Sequence, residues 1–121
     1  MAGELILIVE DNERNLKLVR DLLQFNDYNT LEARTAEEAV DLAVEHRPDL
    51  VLMDIQLPDG DGVSTLARLR SNARTALLTV VALTAFAMPG DRQRLLDAGF
   101  DGYLEKPIDV KGFPTQVRNL L

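Results

Sequence analysis

The sequence predicts an α/β domain: a doubly wound, five-stranded parallel sheet with helices on both faces. Three observations predict it. The runs Leu5–Val9, Leu50–Met53 and Leu77–Leu83 are apolar and of strand length, as strands buried on both faces should be. After each run the apolar spacing changes to that of a helix. The alternation of strand and helix repeats five times with no linker, low-complexity tract or sign of a second domain, so residues 1–121 read as one domain. Such alternation implies a parallel sheet joined by right-handed crossovers.

Each element has its own grounds. Leu5–Val9, ended by Glu10, Asp11 and Asn12, is a buried strand followed by an acidic turn. From Asn12 to about Gln24, Leu16, Val19, Leu22 and Leu23 share one side of a helix, with Leu18 at the edge of that arc. Asn26-Asp27 marks a turn, and Tyr28–Ala33 is a short, more polar strand suited to the sheet's edge. Thr35 and Glu38 have the spacing of a capping box, opening a helix with Ala39, Leu42 and Ala43 inward that ends near His46-Arg47-Pro48. Leu50–Asp54 is the third strand. Pro58, Gly60 and Gly62 cannot continue it, and a helix follows from about Gly62 to Arg70, with Val63, Leu66 and Leu69 at helical spacing. Leu77–Leu83 is the fourth strand, ending at Thr84-Ala85. A helix opens near Pro89, whose fixed φ suits a first turn, and runs through Leu95 and Leu96 to Ala98 before stopping at Gly99. Gly102–Leu104 is a short strand ending in Glu105-Lys106-Pro107, and Asp109 is the expected N-cap of a last helix ending at Leu120-Leu121. With the apolar first, third and fourth strands central and the weaker second and fifth at the edges, the strand order is the flavodoxin-like 2-1-3-4-5. Its switch point lies between the first and third strands.

Composition narrows the function. The 121 residues are 46% hydrophobic and 27% charged, ordinary globular material large enough to bury a core. There is no cysteine, which excludes disulfides, thiolate metal sites and cysteine nucleophiles. No basic leader and no apolar stretch near the roughly 18 residues of a membrane span is present, so a cytoplasmic location and no membrane partner are expected. The net charge is −7 and the basic residues are scattered, which argues against direct contact with nucleic acid.

Polar residues interrupt the apolar strands at their carboxyl ends: Glu10 and Asp11, Asp54, Thr84 and Lys106. In a parallel sheet those ends share one edge, so three carboxylates, a hydroxyl and an ammonium should converge on one cleft at the switch point. Asp54 could merely cap the turn after it. Three carboxylates so close stay ionised only with positive charge among them. A hard divalent cation, Mg²⁺, suits an all-oxygen set, and the lack of a His or Cys ligand in this cleft argues against zinc. A carboxylate beside Mg²⁺, with Lys and Thr opposite, is what phosphoryl transfer to that carboxylate needs: Asp54 attacks in line, and the metal, Lys106 and the Thr84 hydroxyl bind the transferred oxygens.

These residues resemble a known family, the receiver domain of bacterial response regulators, with its CheY-like fold. The matching residues are Glu10-Asp11, Asp54 with Pro58 and Gly62, Thr84-Ala85, and Tyr103 three before Lys106-Pro107. Within the family the chain is most similar to stand-alone receivers of the DivK type, through Val9-Glu10-Asp11-Asn12, Met53-Asp54-Ile55-Gln56-Leu57-Pro58 and Thr84-Ala85-Phe86-Ala87-Met88. The resemblance implies that Asp54 is the phosphoacceptor, receiving its phosphoryl group from a histidine kinase or histidine phosphotransfer protein. It implies that Asp11 and Asp54 bind Mg²⁺, with Glu10 helping through water and the Gln56 main-chain carbonyl completing the set. It implies that Lys106 contacts the phosphoryl group, and that Thr84, Ala85 and Tyr103 carry a switch to the surface of the fourth helix, fifth strand and fifth helix. Asn15, Leu18 and Leu22 are candidates for docking the phosphodonor, although both leucines could equally belong to the buried stripe. A monomer or weak dimer signalling to a downstream protein is expected, not an enzyme beyond its own phosphorylation and dephosphorylation.

Two residues depart from the family pattern. Glu10 stands where many receivers have Asp, and Pro114 falls inside the expected last helix, where it would kink it unless the helix starts near Phe113. Alone, Lys106 reads as a surface lysine, Thr84 as a satisfied strand hydroxyl, Tyr103 as an edge aromatic and His46 as a helix-end residue. Among rivals, an FMN-binding flavodoxin would not place Glu10-Asp11-Asn12-Glu13 against a phosphate. A phosphatase of the haloacid dehalogenase type would have an acid where Gln56 stands. The alternative left is a receiver-shaped interaction module, unphosphorylated or excised from a hybrid kinase.

Overall fold

The computed structural model describes residues 3–85 and 90–121. The helix start expected near Pro89, and the Phe86-Ala87-Met88 part of the resemblance, lie outside the described residues. The elements run β1 (Leu5–Val9), α1 (Glu13–Phe25), β2 (Asn29–Ala33), α2 (Ala36–His46), β3 (Leu50–Asp54), β4 (Gln56–Leu57), β5 (Gly60–Asp61), α3 (Gly62–Ser71), β6 (Val80–Thr84), α4 (Asp91–Ala98), β7 (Gly102–Glu105) and α5 (Phe113–Leu120). Five strands form one parallel sheet in the order β2-β1-β3-β6-β7, which is the expected 2-1-3-4-5 once the small β4-β5 hairpin is set aside.

Period-two alternation divides the sheet's side chains between two cores. Ile6, Ile8, Leu50, Leu52, Val81 and Leu83 pack with Leu16, Val19 and Leu23 of α1 and Phe113 and Val117 of α5. Leu7, Val9, Val51, Met53, Val80 and Ala82 pack against α2, α3 and α4 through Ala39, Ala43, Leu66, Leu69 and Leu95. Because β1, β3 and β6 are buried on both sides, their first polar residue comes at the last position of β3 and β6 and just after β1. The register sets Val9 beside Met53, Asp54 beside Leu83, and Thr84 beside Glu105, so the polar ends reach the same edge.

Four expectations need correcting. The fourth strand begins at Val80, where pairing with Val51 starts; Leu77 lies in the preceding turn, 98% exposed. Val63 is 41% exposed. Steps of three along a helix drift about 60° each, so Val63 lies about 120° from Leu69, and the buried stripe is Gly62, Thr65, Leu66 and Leu69. Tyr28 precedes β2 and is buried beside α1. Asp109 does not cap α5. Its Oδ1 accepts from Lys111 N at 3.2 Å, its carbonyl accepts from Phe113 N at 2.8 Å, and the helix begins at Phe113 after Gly112. Pro114 therefore sits in the first turn, where its missing N–H costs nothing.

Candidate functional site

The site is built by four strand ends and the turns behind them. β1 delivers Glu10 and Asp11, and the chain then turns into α1, whose N-cap Asn12 accepts from Asn15 N at 3.0 Å. β3 delivers Asp54. β6 delivers Thr84, and the turn after β7 delivers Lys106, whose N–H donates to the Thr84 carbonyl at 2.8 Å and whose peptide bond to Pro107 is cis. These residues, with Asn15, Gln56, Pro58 and Ala85, line a cleft of about 580 Å³.

Lys106 is its electrostatic centre. Nζ donates to Glu10 Oε2 at 2.8 Å and to Asp54 Oδ2 at 3.0 Å. Glu10 is only 1% exposed, and the Lys106 side chain 15%. Burial pushes the Glu10 carboxyl above its usual value; Lys106 opposes this and Asp54 adds to it. Burial is also the largest single influence on Lys106, pulling it down, but the two carboxylates together outweigh it and hold the ammonium above its ordinary value. The second oxygen of Asp54, Oδ1, accepts from Gln56 N at 3.0 Å. Asp54 thus does cap the turn after it while facing a cation with its other oxygen.

One oxygen each from Glu10, Asp11 and Asp54 lie within 4.8 Å of one another. Two of these acids are buried and Asp11 is exposed, so the set offers hard oxygen donors open on one side. That suits Mg²⁺, which keeps several waters, and one ammonium leaves three carboxylates short of positive charge. Among the described residues no His or Cys joins the group.

The remaining expected residues fall as follows. Thr84 is buried at the strand edge and Ala85 lines the cleft. Tyr103 lies half-buried on the edge strand; its hydroxyl donates to Glu105 Oε1 at 3.2 Å, and the Arg92 guanidinium stands 5.8 Å from its ring centroid. Asn15, expected at a docking surface, lines the cleft, and its amide donates to Glu10 Oε1 at 3.4 Å. Leu18 is half-buried, and Leu22, also half-buried, packs against the core between the sheet and α1 and α5.

Three residues behind Asp54 act in ways that sequence reasoning did not reach, although Gly62 was already part of the matching motif. Gly62 passes so close that a Cβ there would lie 2.8 Å from the Asp54 carbonyl oxygen and 3.0 Å from Ile55 Cα. Asp61 caps α3 through Ser64 N at 2.6 Å, which the Asp-to-Ser spacing could have revealed. Asp59 binds the start of α2, and no local signal announces it.

Known proteins agree with this picture. The response regulator receiver domain family matches residues 6–118. The polar-differentiation response regulator DivK of Brucella anthropi is 46% identical over 116 residues, 96% of this chain and 94% of its own. A receiver domain of a sensor histidine kinase from Pseudomonas aeruginosa, solved with magnesium coordinated in its active site cleft, superimposes with a TM-score of 0.88 at 34% identity, covering 98% of each chain. The chemotaxis response regulator CheY4 of Vibrio cholerae shares the fold, with a TM-score of 0.90 at 24% identity over 100% of this chain and 99% of its own.

Proposed function

We propose a mechanism from one premise: the chain belongs to the response regulator receiver domain family. Members are signalling domains that interact with histidine kinases or phosphotransfer proteins, and phosphorylation on Asp and binding of Mg²⁺ are typical of them. The observation that carries the assignment to particular residues is Lys106 Nζ held between Glu10 and Asp54 at the strand edge.

Asp54 is the phosphoacceptor. Its carboxylate oxygen forms a bond to phosphorus as the bond from phosphorus to a partner's imidazole nitrogen breaks, and the bonding pair returns to that nitrogen. Glu10, Asp11, Asp54 and the Gln56 main-chain carbonyl are the residues that would hold Mg²⁺. The ion, when bound, supplies positive charge against the phosphoryl oxygens. Gln56 N–H keeps Oδ1 oriented, which fixes the direction of attack. Once the carboxylate has become an acyl phosphate, Lys106 loses its charged partner at Oδ2, keeps Glu10, and turns its ammonium to the phosphoryl oxygens. The Thr84 hydroxyl binds another of those oxygens. Tyr103, one strand outward, then leaves its bond to Glu105 and its place beneath Arg92, which alters the face made by α4, β7 and α5. The 121 residues act in this reading as one phosphoacceptor domain in the cytoplasm, a monomer or weak dimer whose output is protein contact.

The test is intact mass after incubation with acetyl phosphate, with and without Mg²⁺, on wild type and Asp54→Asn. One phosphoryl gain that needs both Mg²⁺ and Asp54 is expected. A labelled Asp54→Asn protein would refute the assignment, and no gain in wild type would favour an interaction module that is not phosphorylated.

A further inference from the structure

The chain after Asp54 folds back as a hairpin, β4 against β5, with Gln56 paired to Asp61 and Leu57 to Gly60. Its two ends are fixed locally. Gly62 N donates to the Ile55 carbonyl at 2.7 Å, and Asp61 caps α3. Its tip is fixed differently. Asp59 Oδ1 accepts from Ala36 N at 2.7 Å and Oδ2 from Glu37 N at 3.1 Å, so the carboxylate grips the first turn of a helix more than twenty residues away in sequence. These two donors hold the Asp59 carboxyl below its ordinary value, although the residue is exposed.

Helix α2 does not need Asp59 in order to start. Thr35 is its N-cap and accepts from Glu38 N at 3.1 Å, while Glu38 returns a carboxylate oxygen to Arg34 N at 2.7 Å. The helix itself is anchored, with Ala36, Ala39 and Ala43 buried in the core. Leu57 is buried in the core and the base of the hairpin is bonded, so Asp59 joins a fixed body to the one part left otherwise unsecured, the exposed tip at Pro58 to Gly60. The hairpin's first residue is Gln56, whose N–H orients Asp54.

We propose that Asp59 is a positioning residue for the phosphorylation site: by clamping the hairpin tip to α2 it keeps Gln56 against Asp54 and at the metal position. This rests on the receiver reading above and adds a residue to it. Side chains that hold ligands from behind commonly affect metal affinity tenfold or more. Cutting the clamp leaves the three carboxylate ligands in place but loosens the Gln56 main chain, whose carbonyl is the fourth.

The full chain is compared with Asp59→Ala, Asp59→Asn and Thr35→Ala. Two readouts are taken: Mg²⁺ affinity from the shift of the Gln56 amide resonance, and hydrogen exchange of that amide without metal. Asp59→Ala should weaken Mg²⁺ binding roughly tenfold and speed Gln56 exchange comparably. Asp59→Asn, with one acceptor oxygen left, should fall between. Thr35→Ala removes a cap from the same helix without touching the hairpin, and should lower the melting temperature while leaving both readouts at wild-type values. Equal effects of Asp59→Ala and Thr35→Ala, or no effect of Asp59→Ala, would overturn the proposal. If wild type binds no Mg²⁺, the Mg²⁺-dependent phosphoacceptor reading falls, and Gln56 exchange alone decides the clamp: faster in Asp59→Ala than in Thr35→Ala upholds it, equal rates overturn it.

Discussion

The two sides of the cleft are secured by different means. α1, α2 and α3 each begin at a side chain that accepts a main-chain hydrogen bond: Asn12, Thr35 and Asp61. α4 and α5 begin at Gly90 and Gly112 with no such bond, and each is eight residues long. α3 buries Gly62, Thr65, Leu66 and Leu69, whereas α4 buries Leu95 alone. α5 is anchored by buried Phe113 and Val117, so α4 is the weakly held element, and because local stability follows caps and buried contacts it should open more easily than α2 or α3. On the proposed function, a charge change at Asp54 should be expressed as movement on the side that costs least to move. Lys106 crosses from one side to the other.

Replacing Lys106 tests that division most severely. Lys106→Ala leaves Glu10 and Asp54 facing each other without an ammonium, and we expect a loss of about 3 kcal/mol in urea unfolding without metal, partly recovered by Mg²⁺. The variant should still be phosphorylated, yet its tyrosine fluorescence, which comes from Tyr28 and Tyr103 alone, should no longer respond. A loss under about 1 kcal/mol, the value of an exposed pair, would mean that the halves are joined elsewhere.

Gly62→Ala attacks the stiff side. Its Cβ would meet the Asp54 carbonyl oxygen at 2.8 Å, so we expect about 2 kcal/mol of destabilisation and slower phosphorylation. Wild-type rates in this variant would show that the floor under Asp54 is softer than its caps suggest. Thr35→Ala should cost about 1 kcal/mol, and in wild type the amides of α4 should exchange before those of α2 and α3. Slower exchange in α4 would reverse the comparison.

The smallest effect is a dependence on pH. The folded Asp59 carboxyl lies below its ordinary 3.8, so its contribution to stability is complete above that value and disappears as the pH falls through the depressed one. The difference in melting temperature between wild type and Asp59→Asn should therefore be constant near neutrality and shrink in acid. A difference that grew in acid would contradict the clamp.

Much of this was readable from the chain itself, for a physical reason. Strands buried on both faces cannot hold polar residues until they end, so Glu10, Asp54 and Thr84 marked the active edge as soon as the strands were recognised. What escaped notice is what acts across space. The bonds from Asp59 to Ala36 and Glu37 link distant residues and leave no periodic trace, and a two-residue strand such as β4 is too short to have a period. Val63 and Leu77 misled because an apolar residue at the start of a helix or in a turn can face water at modest cost. The start of α5 turned on Pro114, which two positions in the helix could have accommodated.

The bond between Lys106 and Glu10 joins residues 96 apart. A ribosome supplies all three acids before the ammonium. While β7 is still missing, the carboxyl edge of the growing sheet holds Glu10 and Asp54 with nothing between them but solvent and whatever cations it brings. On the proposed function, the means to signal a phosphoryl group therefore comes only with β7 and the turn behind it, and a nascent chain stalled short of that point would carry the acceptor without being able to report that it has been used.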